Sequence, residues 1–155
     1  MLITLVPLQP LNPLTLHTVT VAGVTDLADN LIAPVVSTFT TGTGTDLITP
    51  TVVTVTPPSG AVDVGTNAVV VLEVSERLSP LTVEADDIVL RENATGIRVP
   101  GVVTLSADLR QVSFTPDAPL APGRLYRTFP GFGAEDLAGN RLSGSQTTFT
   151  TGSGP

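Results

Sequence analysis

Two short segments of the sequence place carboxylate and amide oxygens close enough together to hold a divalent cation. The residues are Asp26, Asp29 and Asn30 in the first segment, and Glu135, Asp136 and Asn140 in the second. Oxygen ligands of this kind suit Ca²⁺, so calcium is the one candidate cofactor at these segments. The spacing does not match an EF-hand loop, and the same residue types also cap tight turns. Turn capping is therefore the favoured interpretation, and calcium binding is the alternative.

Other side chains that could do chemistry are scarce. His17 is the only histidine and there is no cysteine, so a zinc site or a Ser-His-Asp triad would depend on a single imidazole. The chain has no Trp and one Tyr, which leaves a sugar-binding cleft without stacking surfaces. We therefore expect that the protein is not an enzyme and that His17 is a strand residue.

The charge distribution excludes two classes of partner. The formal net charge is -7, every basic residue is Arg, and the first of them is Arg77. Nucleic acids and anionic membranes bind clustered cations, so the sequence predicts neither partner. No apolar run approaches the roughly 18 residues of a membrane helix, so direct membrane insertion is not expected either.

The elements that must position these residues are strands, because the apolar residues occur in short β-branched runs instead of helical periods. The runs are Val52–Thr56, Ala68–Val74, Ile88–Arg91, Val102–Ser106, Gln111–Thr115 and Thr147–Thr151. Gly, Pro, Asn or Asp bounds each run, and such spacing is typical of an all-β sandwich or barrel. Alternation places Val112 and Phe114 in the core and Ser113 outside. Ser79–Val83 is predicted as a single helical turn.

The sequence also repeats itself at a spacing of about 110 residues. Asp-Leu-Ala-Asp-Asn at 26–30 returns as Asp-Leu-Ala-Gly-Asn at 136–140, and Thr-Phe-Thr-Thr-Gly at 38–42 returns at 148–152. Pro7 and the Pro-Leu-x-Pro segment at 10–13 match Pro116 and residues 119–122 at a spacing of 109 residues, one fewer than the 110 residues that separate the other two motifs. The period is the size of one sandwich domain.

Taken together, these motifs resemble the bacterial Ig-like repeats of S-layer proteins and large surface adhesins. The resemblance covers residues 49–152 continuously and residues 3–42 as a partial copy. Its motifs include Pro-Pro-Ser-Gly-Ala-Val-Asp-Val at 57–64, Phe-Thr-Pro at 114–116 and the segment from Pro119 to Tyr126. The resemblance implies an antiparallel Ig-like sandwich, a cell-surface or extracellular location and a noncatalytic structural or adhesive role.

Local chemistry explains the closing motifs of each repeat. In Asp-Leu-Ala-Gly-Asn, the Asp is expected to cap backbone N–H groups, the Leu to enter the core, and the fourth residue to take a positive φ. Tyr126 is expected to pack its ring inside and to bond its hydroxyl to a loop. Phe149 is expected to face the core, and its counterpart Phe39 is expected on the inner face of the partial copy.

The repeat predicts the domain organisation. Residues 1–42 hold only the last strands of an Ig-like repeat, 43–48 are a linker, 49–152 are a complete domain, and 153–155 begin the next linker. The apolar residues of the partial copy are expected on the inner face of a sandwich but without partner strands, which creates an aggregation hazard. They are Leu2, Leu5, Leu11, Leu14, Leu16, Val19, Val21, Leu27 and Phe39.

These expectations define the predicted function and partners. The chain is predicted to be a structural module of a bacterial surface assembly that associates with itself or with neighbouring Ig-like repeats. Strand addition from a neighbouring chain, or from further sequence, would complete the partial copy, and in the former case could build a filament. Two alternatives remain open. Residues 1–48 could instead add strands to the complete domain, or the chain could be a ligand-binding or spacer module of a larger secreted enzyme or adhesin.

Overall fold

The computed structural model describes residues 5–131 and 133–153, and its contacts divide the chain into two units, Met1–Asp46 and Leu47–Pro155. We call them the N-terminal and C-terminal units. The described residues form ten strands and no helix. They are β1 (Leu16–Val21), β2 (Val35–Thr40), β3 (Val52–Thr56), β4 (Ala61–Val64), β5 (Val70–Val74), β6 (Ile88–Glu92), β7 (Gly101–Leu105), β8 (Gln111–Pro116), β9 (Leu125–Pro130) and β10 (Thr147–Thr151).

The C-terminal unit is a sandwich of two four-stranded sheets. One sheet has the order β3-β5-β8-β7 and the other has the order β4-β10-β9-β6. Neighbouring strands are antiparallel, except that β10 runs parallel to β4. The predicted all-β class and the Ig-like sandwich are confirmed.

The core of this unit comes from alternating positions of both sheets. In β8, Val112 and Phe114 are buried while Ser113 is partly exposed, as the alternation predicts. The buried apolar residues are Val70, Leu72, Val74, Leu78, Ile88, Leu90, Val112, Phe114, Leu120, Tyr126, Ala134, Leu142 and Phe149. Burial of this apolar surface is the main driving force for folding.

The N-terminal unit contains one antiparallel hairpin, β1–β2, whose register pairs His17 with Phe39 and Val19 with Ser37. Burial along β1 alternates, so His17, Val19 and Val21 lie on the less exposed face. Every residue of β2 is exposed. Leu16 points to the opposite face and is 66% exposed, so its predicted place on the inner face is wrong. Leu2 lies outside the described residues.

Two strands of the C-terminal unit were not predicted from the sequence. Strand β4 has four residues and contains Asp63, and β9 includes Arg127, so neither forms a clear β-branched run. The predicted helical turn near Ser79 is a single turn closed by the Thr82 N–H and the Ser79 carbonyl. Among the described residues, no helix is long and apolar enough to cross a bilayer.

Strand β9 contains a buried hydroxyl that the fold does not satisfy. Oγ1 of Thr128 has no hydrogen-bond partner in the part of the chain that the structure describes. The corresponding position of β1 is Val19. We expect Thr128→Val to raise the free energy of unfolding by about 1 kcal/mol, because it removes an unpaired polar group at nearly constant volume. Urea denaturation tests this, and a loss of stability would contradict it.

Candidate functional site

The segment Asp136–Asn140 forms a tight turn around one carboxylate. Oδ1 of Asp136 accepts hydrogen bonds from the backbone N–H groups of Ala138 at 2.7 Å and Asn140 at 2.9 Å. Oδ2 accepts a bond from the side-chain amide of Asn140 at 2.8 Å. The backbone N–H of Asp136 donates to the Asn140 carbonyl, which closes the loop. The side chain therefore holds the turn from inside, as the sequence predicted.

The first copy of the motif has the same geometry. Asp26 accepts from the N–H of Ala28 at 2.8 Å, the N–H of Asn30 at 2.9 Å and the Asn30 amide at 2.9 Å. Asp29 has a φ of 62°, where its counterpart Gly139 has 91°. The predicted positive φ is confirmed in both copies, because Asp also populates the left-handed region. We call these two segments the Asp turns.

The donors around each Asp turn bear on the calcium prediction. Both oxygens of Asp136 accept N–H bonds, and the Glu135 carboxylate lies 3.5 Å from the Arg141 guanidinium. The carboxylate of Glu76 lies within 4.8 Å of that of Asp136. A calcium ion needs six to eight oxygens, so this donor set fits turn capping better than a cation cage. Calcium binding stays a prediction, and a lower melting midpoint after addition of chelator would support it.

Hydrogen bonding in the Asp turn also makes stability depend on pH. Burial of the carboxyl opposes ionisation, but the bonds from Asn140 and Ala138 outweigh it and hold the pKa of Asp136 below its ordinary value. A lowered folded-state pKa stabilises the fold above the unfolded pKa of about 3.9, and this contribution disappears as pH falls through the folded value.

We therefore expect the melting midpoint of the C-terminal unit to fall as pH is lowered below about 4. The fall should be shallower in Asp136→Asn, because an amide has no proton to take up in this range. Calorimetry at a series of pH values measures both slopes, and Asp26→Asn is the matched control in the other turn. Equal slopes for the wild type and Asp136→Asn would contradict the assignment.

An aromatic pair and a threonine tie the start of β9 to the end of β10. Tyr126 and Phe149 are buried and stack with ring centroids 5.7 Å apart. The Tyr126 hydroxyl accepts a bond from the Ala121 N–H at 2.9 Å, which confirms the predicted bond to a loop. Oγ1 of Thr151 accepts from the Arg124 N–H at 2.9 Å and donates to the Ala121 carbonyl at 2.7 Å.

The N-terminal hairpin repeats this arrangement. His17 stacks on Phe39 with centroids 5.5 Å apart, and Oγ1 of Thr41 accepts from the Thr15 N–H at 3.0 Å and donates to the Asn12 carbonyl at 2.5 Å. His17 therefore occupies the Tyr126 position, as predicted. Phe39 is 44% exposed where Phe149 is 1% exposed, so within the described residues the same ring lies on an open face in the first copy and in a core in the second.

The leucine of the Asp turn was also predicted wrongly. Leu137 is 65% exposed and Leu27 is fully exposed, so neither enters a core. The backbone of the turn wraps around the Asp carboxylate, so the side chain of the leucine that follows the Asp faces outward.

Sequence reasoning missed a buried carboxylate that organises the region around the start of β6. Asp87 is only 3% exposed, although the adjacent Asp86 is exposed. It accepts bonds from the N–H groups of Glu84 at 2.6 Å, Gly133 at 3.1 Å and Ala134 at 3.0 Å. We call this arrangement the Asp87 clamp. Two glycines at 131 and 133 were the only hint that another part of the backbone approaches closely.

The sandwich, the Tyr126 bond and the Asp turn define an Ig-like β-sandwich module. The chain belongs to the bacterial Ig-like domain family, whose model matches residues 46–151. A search of curated protein sequences found no match.

Solved structures of low sequence identity share this fold. The N-terminal part of the bacterial S-layer protein SbsC is 18% identical with a TM-score of 0.53, over 68% of this chain and 24% of that one. A longer SbsC structure is 20% identical with a TM-score of 0.51, over 68% of this chain and 14% of that one. PcoC, a methionine-rich copper resistance protein from Escherichia coli, is 19% identical with a TM-score of 0.55, over 67% of this chain and 99% of that one. The chain thus spans under a quarter of the S-layer structures.

Proposed function

We propose that the chain is a noncatalytic structural module of a bacterial cell-surface or extracellular assembly. Membership of the bacterial Ig-like family supports this role, and the likeness to segments of an S-layer protein is consistent with it. Fold alone does not define function, so the proposal depends on what the side chains do.

The observation that carries the proposal is the repetition of one hairpin in two units. The Asp turn, the aromatic stack and the threonine bonds of the β9–β10 hairpin recur at the equivalent positions of the β1–β2 hairpin, with His17 in place of Tyr126. Repeated modules with conserved internal bonding and little reactive chemistry are typical of arrays that build length or spacing.

The environments of the titratable groups also support a noncatalytic role. Asp87 and Asp136 accept backbone hydrogen bonds, and His17 lies on Phe39 with Nε2 3.5 Å from the Asn12 carbonyl. The copper-resistance role in the name of PcoC is not proposed for this chain. This chain has one Met, one His and no Cys, so it is poor in the soft ligands that copper prefers.

Surface labelling of the producing bacterium tests the proposal. Antibodies raised against the C-terminal unit should label intact cells or extracellular material, and external protease should remove the signal. A cytoplasmic protein serves as the control and should be labelled only after lysis. Labelling confined to lysed cells would overturn the proposed location. Recovery of the epitope on a secreted polypeptide with hydrolytic activity would favour a spacer module of an enzyme.

A further inference from the structure

Three of the seven arginines form one row across the outer face of the sheet β4-β10-β9-β6. Arg127 in β9 lies directly opposite Arg91 in β6, and Arg91 lies opposite Arg98 in the segment that follows β6 and pairs with its other side. Directly opposite residues of an antiparallel pair lie on the same face, with their Cβ atoms about 4.5–5.5 Å apart. We call this set the Arg row.

The Arg row faces away from the core. Leu90 and Thr128, which are adjacent to Arg91 and Arg127 in their strands, are 0% and 1% exposed. Because side chains alternate between the two faces of a strand, the two arginines lie on the outer face. Arg91 and Arg98 are exposed, and Arg127 is partly exposed. Strand pairing brings Arg127 to the other two arginines, from which it is distant in the sequence.

The protein itself neutralises little of the charge in the Arg row. Arg98 forms an ion pair with Asp86, and Nη1 of Arg91 donates to the Gly96 carbonyl at 2.9 Å. Within the described residues, neither Arg91 nor Arg127 forms an ion pair with a carboxylate. Like charges directly opposite each other destabilise a sheet. Two guanidinium groups of this acidic chain are therefore available to an external anion.

The surface around the Arg row is more polar than a typical protein interface. Thr148 of β10 lies opposite Arg127 and continues the row, and Thr150 lies opposite Leu125 in the next row. The apolar residues that β6 and β9 place on this face are at most 38% exposed; they are Val89, Leu125 and Phe129. A protein partner would need an apolar centre in the contact surface. Guanidinium groups beside hydroxyl groups suit a ligand that carries both carboxylates and hydroxyls.

We propose that the Arg row binds an acidic polysaccharide, a linear chain with a carboxylate on successive sugars. Guanidinium groups bind carboxylates through two parallel hydrogen bonds. The hydroxyls of Thr148 and Thr150 can donate to and accept from sugar hydroxyls. Binding through charge does not need the aromatic stacking surfaces that this chain lacks. The choice of a polysaccharide rests on the proposed surface role of the module.

Nucleic acids fit this face less well. Duplex DNA carries one negative charge per roughly 1.7 Å of its axis, so three cations neutralise little of it. The formal net charge of -7 repels the remaining phosphates. Single strands bind through bases that stack on aromatic side chains. Phe129 is the one aromatic residue that β6 and β9 place on this face, and it is only partly exposed.

Isothermal titration calorimetry of the full chain with polygalacturonate oligomers tests the inference. A chelator in the buffer removes divalent cations, so that no ion can bridge the oligomer to the Asp turns. We expect binding that weakens as salt is added, because exposed charges are screened. Arg91→Gln and Arg127→Gln should each weaken binding roughly ten-fold, the effect of losing one charged hydrogen-bonding group. Methyl-esterified oligomers should not bind, because they lack the carboxylate charge.

Arg141→Gln is the matched control, because it removes the same charge from a guanidinium that pairs with Glu135 outside the Arg row. It should change the affinity by less than about two-fold. Replacing Arg91 and Arg127 together by Lys keeps the charge but should still weaken binding, since Lys lacks the planar fork of Arg. Equal weakening by Arg141→Gln and Arg127→Gln would show that binding follows net charge alone, and would overturn the site.

A stability measurement separates loss of binding from loss of folding. Arg127→Gln should raise the melting midpoint, because it relieves the repulsion from Arg91. No binding of polygalacturonate by the natural chain, or tighter binding of a single-stranded DNA oligonucleotide, would overturn the proposal. None of these outcomes depends on where the protein is found, so failure here leaves the surface-labelling result standing.

Discussion

Phe149→Ala should lower the free energy of unfolding of the C-terminal unit by about 3–5 kcal/mol. Phe149 is 1% exposed, lies in the centre of β10 and stacks on Tyr126. Its removal loses buried apolar area and leaves a cavity that the two sheets cannot close without moving β9. A single domain is stable by about 5–15 kcal/mol, so this is a large share of the total.

Phe39→Ala is the matched control at the equivalent position of the other unit. Phe39 is 44% exposed, so we expect a change of less than about 1 kcal/mol. Urea denaturation followed by circular dichroism measures both variants. Equal losses would show that the two positions have the same environment in solution, and would contradict the description of an open hairpin.

Asp87→Ala should destabilise the C-terminal unit by about 2–4 kcal/mol, because the clamp would leave three N–H groups without their acceptor. The Asp87 carboxylate joins the segment before β6 to the segment after β9. Gly133, one of its donors, lies 46 residues further along the chain than Asp87. The backbone carbonyl of Asp87 also accepts the Gly131 N–H at 2.6 Å. Asp87→Ala keeps this backbone bond and removes only the three bonds of the carboxylate.

Asp86→Ala is the matched control for the clamp. Asp86 is adjacent and exposed and forms an ion pair with Arg98, and such surface pairs contribute at most about 1 kcal/mol. A third variant, Gly131→Ala, should be at least as damaging as Asp87→Ala, since its Cβ would collide with the backbone of Asp86 and Asp87. The clamp assignment fails if Asp86→Ala and Asp87→Ala lower the stability of the C-terminal unit by the same amount in thermal or urea unfolding.

The Asp turns and the Asp87 clamp differ in how far the sequence predicts them. Asp136 bonds to residues two and four positions along the chain, so its motif is readable locally and its repetition at Asp26 confirms the pattern. Asp87 bonds to residues 46 and 47 positions away, and its neighbours in sequence give no sign of burial. Hydrogen bonds between residues that are close in sequence can be predicted from a motif, whereas bonds between residues far apart in sequence cannot.

The all-β class, the repeat and the turn chemistry could be predicted before the fold was known, because alternation and Asx capping depend on residues within a few positions of each other. The parallel pairing of β4 with β10, the outward direction of Leu137 and the burial of Asp87 became clear only from the three-dimensional fold. Each of these depends on which strands become neighbours in space, and a strand's own residues specify its two faces but not what packs against them.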